Sequence, residues 1–185
     1  MTKKTLTFVT GNEKKLQEAS DILSPLGITI KSCSCSLEEI QSDSPEEVVI
    51  DKAQRAFNKI GKALIVDDTA LFIDGYENFP GTYTKAMARL LGAKGLDRLI
   101  DENHRATFTS YICYYDEKPK LFKGSWHGTL LKGKALQSSQ WPFNSMFLPD
   151  DAKVVLSEMP WAERVKKSHR YKALTELAKY FEGKK

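Results

Sequence analysis

Residues 63–85 read ALIVDDTALFIDGYENFPGTYTK, and this stretch decides the fold. Its first four residues form a short apolar run with the length and composition of a buried strand. The run passes directly into Asp67 and Asp68, followed by Thr69. Pro80-Gly81 then breaks the chain, and Lys85 follows one turn later. Carboxylates at the carboxyl end of a buried strand lie where α/β proteins bind ligands. Two neighbouring acids repel each other unless a cation or a proton intervenes. Successive strand residues point to opposite faces, so one member of the pair faces any given cleft. Taken alone, the stretch is better served by a solvated Asp-Asp turn that ends a strand.

Upstream, residues 5–10 are rich in β-branched and aromatic residues and read as a first strand. Gly11-Asn12 turns the chain, and Asn12 is a suitable N-cap for a helix over 13–23, with Leu16, Ala19, Ile22 and Leu23 at helical spacing. A strand, a tight glycine turn and a helix N-terminus together suit an anion, because backbone N–H groups and the helix dipole both favour one. Lys14 and Lys15 oppose the positive helix end and make better sense beside a polyphosphate. The P-loop pattern G-x-x-x-x-G-K-[ST] is absent. Residues 27–35 read as a second strand, and 36–44 as a polar connection carrying Glu38, Glu39 and Asp43. Ser44, Pro45 and Glu47 supply a cap, a first-position proline and a capping box for a helix running to about residue 60, closed by Gly61. Lys52 lies off the centre of its apolar stripe.

Downstream, residues 84–91 and 95–103 read as short helices separated by Gly92, and 104–115 and 119–131 as a hairpin of two strands. His104 and His127 have no acid at useful spacing and read as structural or surface residues. Residues 138–151, SSQWPFNSMFLPDD, show no periodicity and read as loop. Their aromatics either stack on a planar ligand or pin the loop to the core. A helical turn is expected over 156–159, before Pro160. Ser168 then caps a last helix with Tyr171, Leu174, Leu177, Ala178 and Phe181 on its buried face, and residues 183–185 read as a frayed tail.

At 185 residues the chain reads as one domain over 1–185. A net charge of +4, from 28 basic and 24 acidic residues, falls short of a nucleic-acid footprint but suits a polyphosphate substrate. Cys33, Cys35 and Cys113 complete no zinc pattern and read as reduced thiols of a cytosolic protein. The opening MTKKTLTFVTGN lacks the apolar core of a signal peptide, and no run of about 18 apolar residues occurs. A soluble, cytoplasmic protein with no membrane or nucleic-acid partner is expected.

Taken in order, TGNEKK (10–15), DDT (67–69), FPGTYTK (79–85), FLPD (147–150), SEMP (157–160) and SHRYKAL (168–174) resemble the inosine triphosphate pyrophosphatase family over residues 6–181. The resemblance implies an α/β fold: a long central mixed β-sheet flanked by helices, with two lobes around a deep cleft, usually as a homodimer. It implies Mg²⁺-dependent hydrolysis of nucleoside triphosphates to the monophosphate and pyrophosphate, acting on deaminated purines such as ITP, dITP and XTP. By matching position, Thr10, Gly11, Asn12 and Lys15 would hold phosphates, with Lys52 and Lys85 adding charge and Thr69 also facing substrate. Glu39 and Asp68 would bind the metal. Asp68 would also accept a proton, with Asp67 as its helper and Lys52 as a further catalytic residue. Glu18, Ser168, His169 and Arg170 fall where the family contacts the nucleobase.

The chain departs from the family in the aromatic loop, where aromatic-Gly-aromatic-Asp-Pro is replaced by Trp141-Pro142-Phe143-Asn144-Ser145. Trp141 and Phe143 retain the rings. Pro142 stiffens the loop and removes an N–H donor. Asn144 both donates and accepts where a carboxylate only accepts. Arg164 stands in place of a lysine that would contact substrate, with a planar fork in place of a point charge. Two alternatives follow: the same scaffold with its base preference shifted to an ordinary or modified nucleotide, and a nucleotide-binding module without catalysis. The metal-type carboxylates Glu39 and Asp68 speak against the second.

Overall fold

The structure, a computed structural model, describes residues 4–137 and 141–183. Residues 138–140 of the aromatic loop and 184–185 of the expected tail lie outside the described residues. Strand β1 (Lys4–Val9) leads into helix α1 (Glu13–Leu23), and Asn12 caps α1 by accepting the N–H groups of Lys14 and Lys15. After a 3₁₀ turn at Ser24–Leu26 comes strand β2 (Ile28–Cys33). Helix α2 (Pro45–Ile60) starts at Ser44, whose hydroxyl accepts the Glu47 N–H. The expected capping box closes through a third residue. The Ser44 N–H donates to Ser42 Oγ, and that hydroxyl donates to Glu47 Oε2 at 2.7 Å.

Strand β3 (Leu64–Ile73) corrects the reading of the opening stretch. The strand does not stop at the aspartates but carries both of them in its middle. Apolar residues resume at Ala70, Leu71 and Ile73, and charged partners from other elements compensate the acids. Strand β4 (Pro80–Gly81) folds back on β3, pairing Phe72 with Pro80 and Leu71 with Gly81. Gly81 has φ +55°, and a Cβ there would lie 2.7 Å from the Asn78 carbonyl oxygen, so this turn requires glycine. Helix α3 (Thr84–Leu99) is broken at Gly92 (φ 59°, ψ −176°), the separation expected, although it ends at Leu99 and not at 103.

Strands β5 (His104–Asp116) and β6 (Lys118–Leu130) are joined through Glu117 alone, at φ 62°. Thr107 meets His127, and Thr109 meets Ser125. Partner numbers fall as chain numbers rise, which is the antiparallel sense of the expected hairpin. Residues 141–151 are less irregular than expected: they hold helix α4 (Phe143–Met146) and strand β7 (Phe147–Pro149), which pairs with β6. Residues 156–159 form turns and bends, and the helix lies just beyond Pro160 as α5 (Trp161–Lys167). Pro160 opens this helix by lending its carbonyl to the Glu163 and Arg164 N–H groups. Helix α6 (His169–Glu182) begins at Ser168, which accepts the Tyr171 N–H as its cap.

The sheet has seven strands in the order β2-β1-β3-β5-β6-β7, with β4 on β3. Pairs β1–β2 and β1–β3 are parallel, and β3–β4 and β6–β7 antiparallel. The fold class is therefore the expected one, a mixed sheet flanked by helices. The chain divides into two compact units, residues 1–69, 109–125 and 165–185, and residues 70–108 and 126–164. In the first, α1 packs on α6, and Leu23, Leu174 and Leu177 share a core with Phe8, Ile65 and Ile112. Full burial of each such side chain contributes roughly 1.5–3 kcal/mol. The second has an aromatic core in which Phe108 meets Phe147 edge to face at 4.9 Å.

Candidate active site

Alternation along β3 sets the chemistry of the two aspartates. Asp67 and Thr69 fall on the face of Ile65, which packs into the α1 and α6 core, whereas Asp68 falls on the other. The Asp67 side chain is fully buried. Its Oδ1 accepts the Ser110 hydroxyl at 2.7 Å, and its Oδ2 accepts Arg170 Nε at 2.9 Å. Lys15 Nζ lies 3.1 Å from the same Oδ2 and 3.4 Å from the Asp67 carbonyl oxygen. Burial alone would push this carboxyl up; Arg170, Lys15 and the two hydrogen bonds outweigh it and hold the group well below the usual carboxylate range.

Arg170 is the hub of this network. Besides Asp67 it bonds Glu18 Oε2 through Nη1 and Thr69 Oγ1 through Nη2 at 3.1 Å. Glu18 in turn accepts the Ser168 hydroxyl at 2.6 Å. Burial disfavours the guanidinium charge, but Asp67 and Glu18 raise its affinity for the proton, so Arg170 stays cationic. One cation between two carboxylates satisfies a charge arrangement that would be costly if any member were missing. His169 is buried at the first position of α6, beside these two residues in sequence.

Asp68 is half-buried and bears a different load. Burial pushes its carboxyl up; Lys15 and Lys52 pull it down, and Asp67 and Glu39 push it up again. Lys52, on α2, donates to Glu39 Oε1 from the polar connection before that helix. A carboxyl that burial makes more basic, flanked by two lysines and a second carboxylate, can accept a proton beside a polyanion.

The loop between β1 and α1 is held by its own bonds. Asn12 donates its N–H to Thr10 Oγ1 at 3.1 Å, and Asn12 Oδ1 takes the Lys14 and Lys15 N–H groups at 3.0 and 3.2 Å. Gly11 is exposed, and no atom beyond its own chain neighbours lies within 4 Å of where a Cβ would be. The Lys15 charge, expected to await a phosphate, is already partly balanced by Asp67.

The first unit thus unites Lys15, Glu18, Asp67, Thr69, Ser168 and Arg170, with Glu39, Lys52 and Asp68 in the same field of charge. Lys85, Trp141, Phe143, Asn144 and Arg164 belong to the second unit. There Lys85 is exposed in the first turn of α3. Phe143 is fully buried and packs on Phe108 and Trp141, which resolves its two readings in favour of pinning the loop to the core. Trp141 is half-buried. Arg164 Nη2 donates to Asn144 Oδ1 at 3.4 Å.

Two residues of the first unit escaped the sequence reading. Ser110 is a fully buried hydroxyl in the apolar strand β5, and its signal was a polar residue inside a buried run. Gly124 lies against the start of α6, where a Cβ would come within 2.2 Å of the His169 carbonyl oxygen. A glycine inside a strand marks such a close approach. His104 also needs correcting: its Nε2 lies 3.4 Å from Asp101, an acid three residues earlier.

Glu39 and Asp68 offer oxygen donors of the kind Mg²⁺ takes, commonly one or two carboxylates completed by phosphates and waters. Among the described residues no group of three or more His, Cys, Asp and Glu side chains could hold a metal. Two carboxylates are few enough that phosphates and waters would have to complete such a coordination shell.

The fold and this cluster define a mixed α/β protein with paired carboxylates and lysines beside a strand-turn-helix loop. The profile of the Ham1 family matches residues 6–180, and the chain belongs to that family. A dITP/XTP pyrophosphatase of Thermococcus kodakarensis is 31% identical over 177 residues, spanning 95% of this chain and 96% of its own. An inosine triphosphate pyrophosphatase of Yarrowia lipolytica is 36% identical over 177 residues, 93% of each chain. A HAM1 protein from Coxiella burnetii superposes with a TM-score of 0.80 over 97% of this chain and 99% of that one; at 20% identity the likeness is one of fold.

Proposed function

We propose that this chain is a nucleoside triphosphate pyrophosphatase that hydrolyses the α–β phosphoanhydride of purine nucleotides. Deaminated purines (ITP, dITP and XTP) are its substrates, and removing them from the nucleotide pool is its role. The observation that carries this reading is Asp68, a half-buried carboxyl that burial makes more basic, in the field of Lys15, Lys52 and Glu39. The relatives named above support the reaction and the base.

In this reading the loop at Thr10, Gly11 and Asn12, with Lys15 and Lys52, receives the triphosphate and spreads the charge of the departing pyrophosphate. Asp68 accepts the proton of the attacking water at its carboxylate oxygen. Asp67 helps by holding Lys15 and Arg170. Thr69, Glu18, Ser168, His169 and Arg170 form the polar wall for the nucleoside. Glu39 and Asp68 would hold Mg²⁺, which when bound neutralises phosphate oxygens and lowers the pKa of bound water. One pyrophosphatase domain over 1–185 is part of the proposal, and the family match over residues 6–180 supports it. A cytoplasmic homodimer completes the proposal; among the described residues no helix is long and apolar enough to cross a membrane.

A second reading rests on the contact between Arg164 and Asn144. Arg164 donates to Oδ1, and the Asn144 amide also carries two N–H donors that a carboxylate would lack. A donor suits the N1 acceptor of adenine better than the N1–H of a keto purine, so base preference would relax. Pyrophosphate release measured across ITP, XTP, dATP, dGTP and pyrimidine triphosphates, with and without Mg²⁺, tests both. A strong ITP and XTP preference overturns the second reading, and no release from any nucleotide overturns the first.

A further inference from the structure

We infer that Ser110 is a positioning residue for polyphosphate binding: by fixing Oδ1 of Asp67, it leaves Oδ2 aimed at Lys15 and Arg170 together. The inference rests on the proposed reading of Lys15 as a phosphate ligand. Its geometry comes from three elements of the first unit. Ser110 is fully buried on β5, sharing the face of Ile112 and Tyr114, and its hydroxyl reaches across to Asp67 on β3 at 2.7 Å. Arg170 from α6 and Lys15 from α1 meet at the other oxygen, at 2.9 and 3.1 Å.

A carboxylate rotates about its last torsion with little resistance, since that well is broad. Two cations on one oxygen do not by themselves fix the plane, because either could draw the free oxygen toward itself. A donor on the opposite oxygen removes that freedom. Without the Ser110 hydroxyl, Oδ1 would be a buried acceptor with no partner from β5, and Lys15, 3.1 Å from Oδ2 on a flexible four-carbon stem, is a mobile donor that can turn toward it. The carboxylate and Lys15 would then close on each other, withdrawing the ammonium from an incoming phosphate. Arg170 would shift less, because Glu18 and Thr69 hold the rest of its fork.

The test compares Ser110→Ala, Ser110→Cys and Lys15→Met with the wild type and with the Ser110→Ala/Lys15→Met double variant. Readouts are KM and kcat for ITP, calorimetric binding of inorganic tripolyphosphate, and Tm. Ser110→Ala is expected to raise KM and the tripolyphosphate Kd roughly tenfold with kcat changed less than about threefold. The cysteine variant, with its weaker donor, falls between. In the Lys15→Met background, removing Ser110 has no further effect on Kd, because its influence passes through Lys15. Lower Tm with unchanged KM and Kd would mean that Ser110 only supports packing, and would overturn the inference, as would additive effects in the double variant. Wild-type turnover with an unresponsive Ser110→Ala defeats this inference alone. No turnover, but tripolyphosphate binding that weakens in Ser110→Ala, defeats the hydrolase reading and keeps the positioning role. If the wild type neither turns over nor binds tripolyphosphate, both fall.

Discussion

The two units carry their candidate functional residues in opposite ways. In the first, the residues are charges that hold one another: Asp67, Glu18 and Arg170 form a buried, bonded network that the partly exposed Lys15 joins, and burial makes the neighbouring Asp68 carboxyl more basic. In the second, the residues are outgrowths of an aromatic core: Phe143 is fully buried, Trp141 leans on it, and the polar contribution is the contact between Asn144 and Arg164. The first arrangement resists change because each charge depends on its neighbours. The second can alter one polar side chain while its scaffold persists. A charge network of the first kind suits catalysis, and a lone polar contact on an apolar scaffold suits the tuning of specificity.

The largest expected effect is on Asp68. Asp68→Asn should lower kcat/KM for the preferred nucleotide by roughly 10³-fold, the scale of a lost proton acceptor. Because burial raises this carboxyl, the folded state binds its proton more tightly than the unfolded state does. The ionised group therefore lowers stability above the unfolded pKa of about 3.9, and the amide removes that cost. Tm at pH 7 should accordingly be unchanged or higher. An active variant would sink the role of Asp68, and a marked fall in Tm would sink its separation from the Asp67 network.

Its neighbour should behave in the reverse sense. Asp67→Asn leaves Arg170 without one of its two carboxylates and should cost roughly 3–5 kcal/mol of stability. For a chain of this size that corresponds to a fall of roughly 6–20 °C in Tm. The pH dependence has a definite sign, because the folded carboxyl is depressed. Its stabilisation is fully present above the unfolded value of about 3.9 and is lost as pH falls below it. The Tm gap between wild type and Asp67→Asn should be flat from pH 7 to about 5 and narrow below about 4. A gap that widened on acidification would show that Asp67 is not the ionised partner of Arg170.

The same contrast explains what could be read from the sequence. Caps and breaks are local, so Asn12, Ser44, Gly61, Gly92 and Ser168 disclosed their helix ends through neighbours a few residues away. The fate of Asp67-Asp68 was hidden, because Arg170 stands 103 residues later and Ser110 lies 43 away. Without those partners two acids look like the end of a strand; with them the strand continues. Helix α5 has seven residues, too few to show a period, and Pro160 reads as a stop when it is a start. The site charges were legible as types in order, whereas their division of labour depends on which face of β3 each occupies. Phe143 could not be assigned at all, since a ring in an aperiodic loop carries no sign of whether it points outward or into the core.

The smallest effect expected falls on the second unit and decides whether its freedom is used. Asn144→Asp gives Arg164 an ionised partner at the place where Oδ1 now accepts a contact of 3.4 Å. A hydrogen bond to a charged group is worth about 1.5–3 kcal/mol against about 1 for a neutral one. The carboxylate, which can only accept, no longer offers the amide donors. If those donors read the base, the ratio of kcat/KM for ITP to that for dATP should rise roughly tenfold, for a difference of about 1.4 kcal/mol. Tm should move little, because Phe143, Met146 and Phe147 anchor the segment without help from Asn144. An unchanged ratio would mean that the amide faces away from the base.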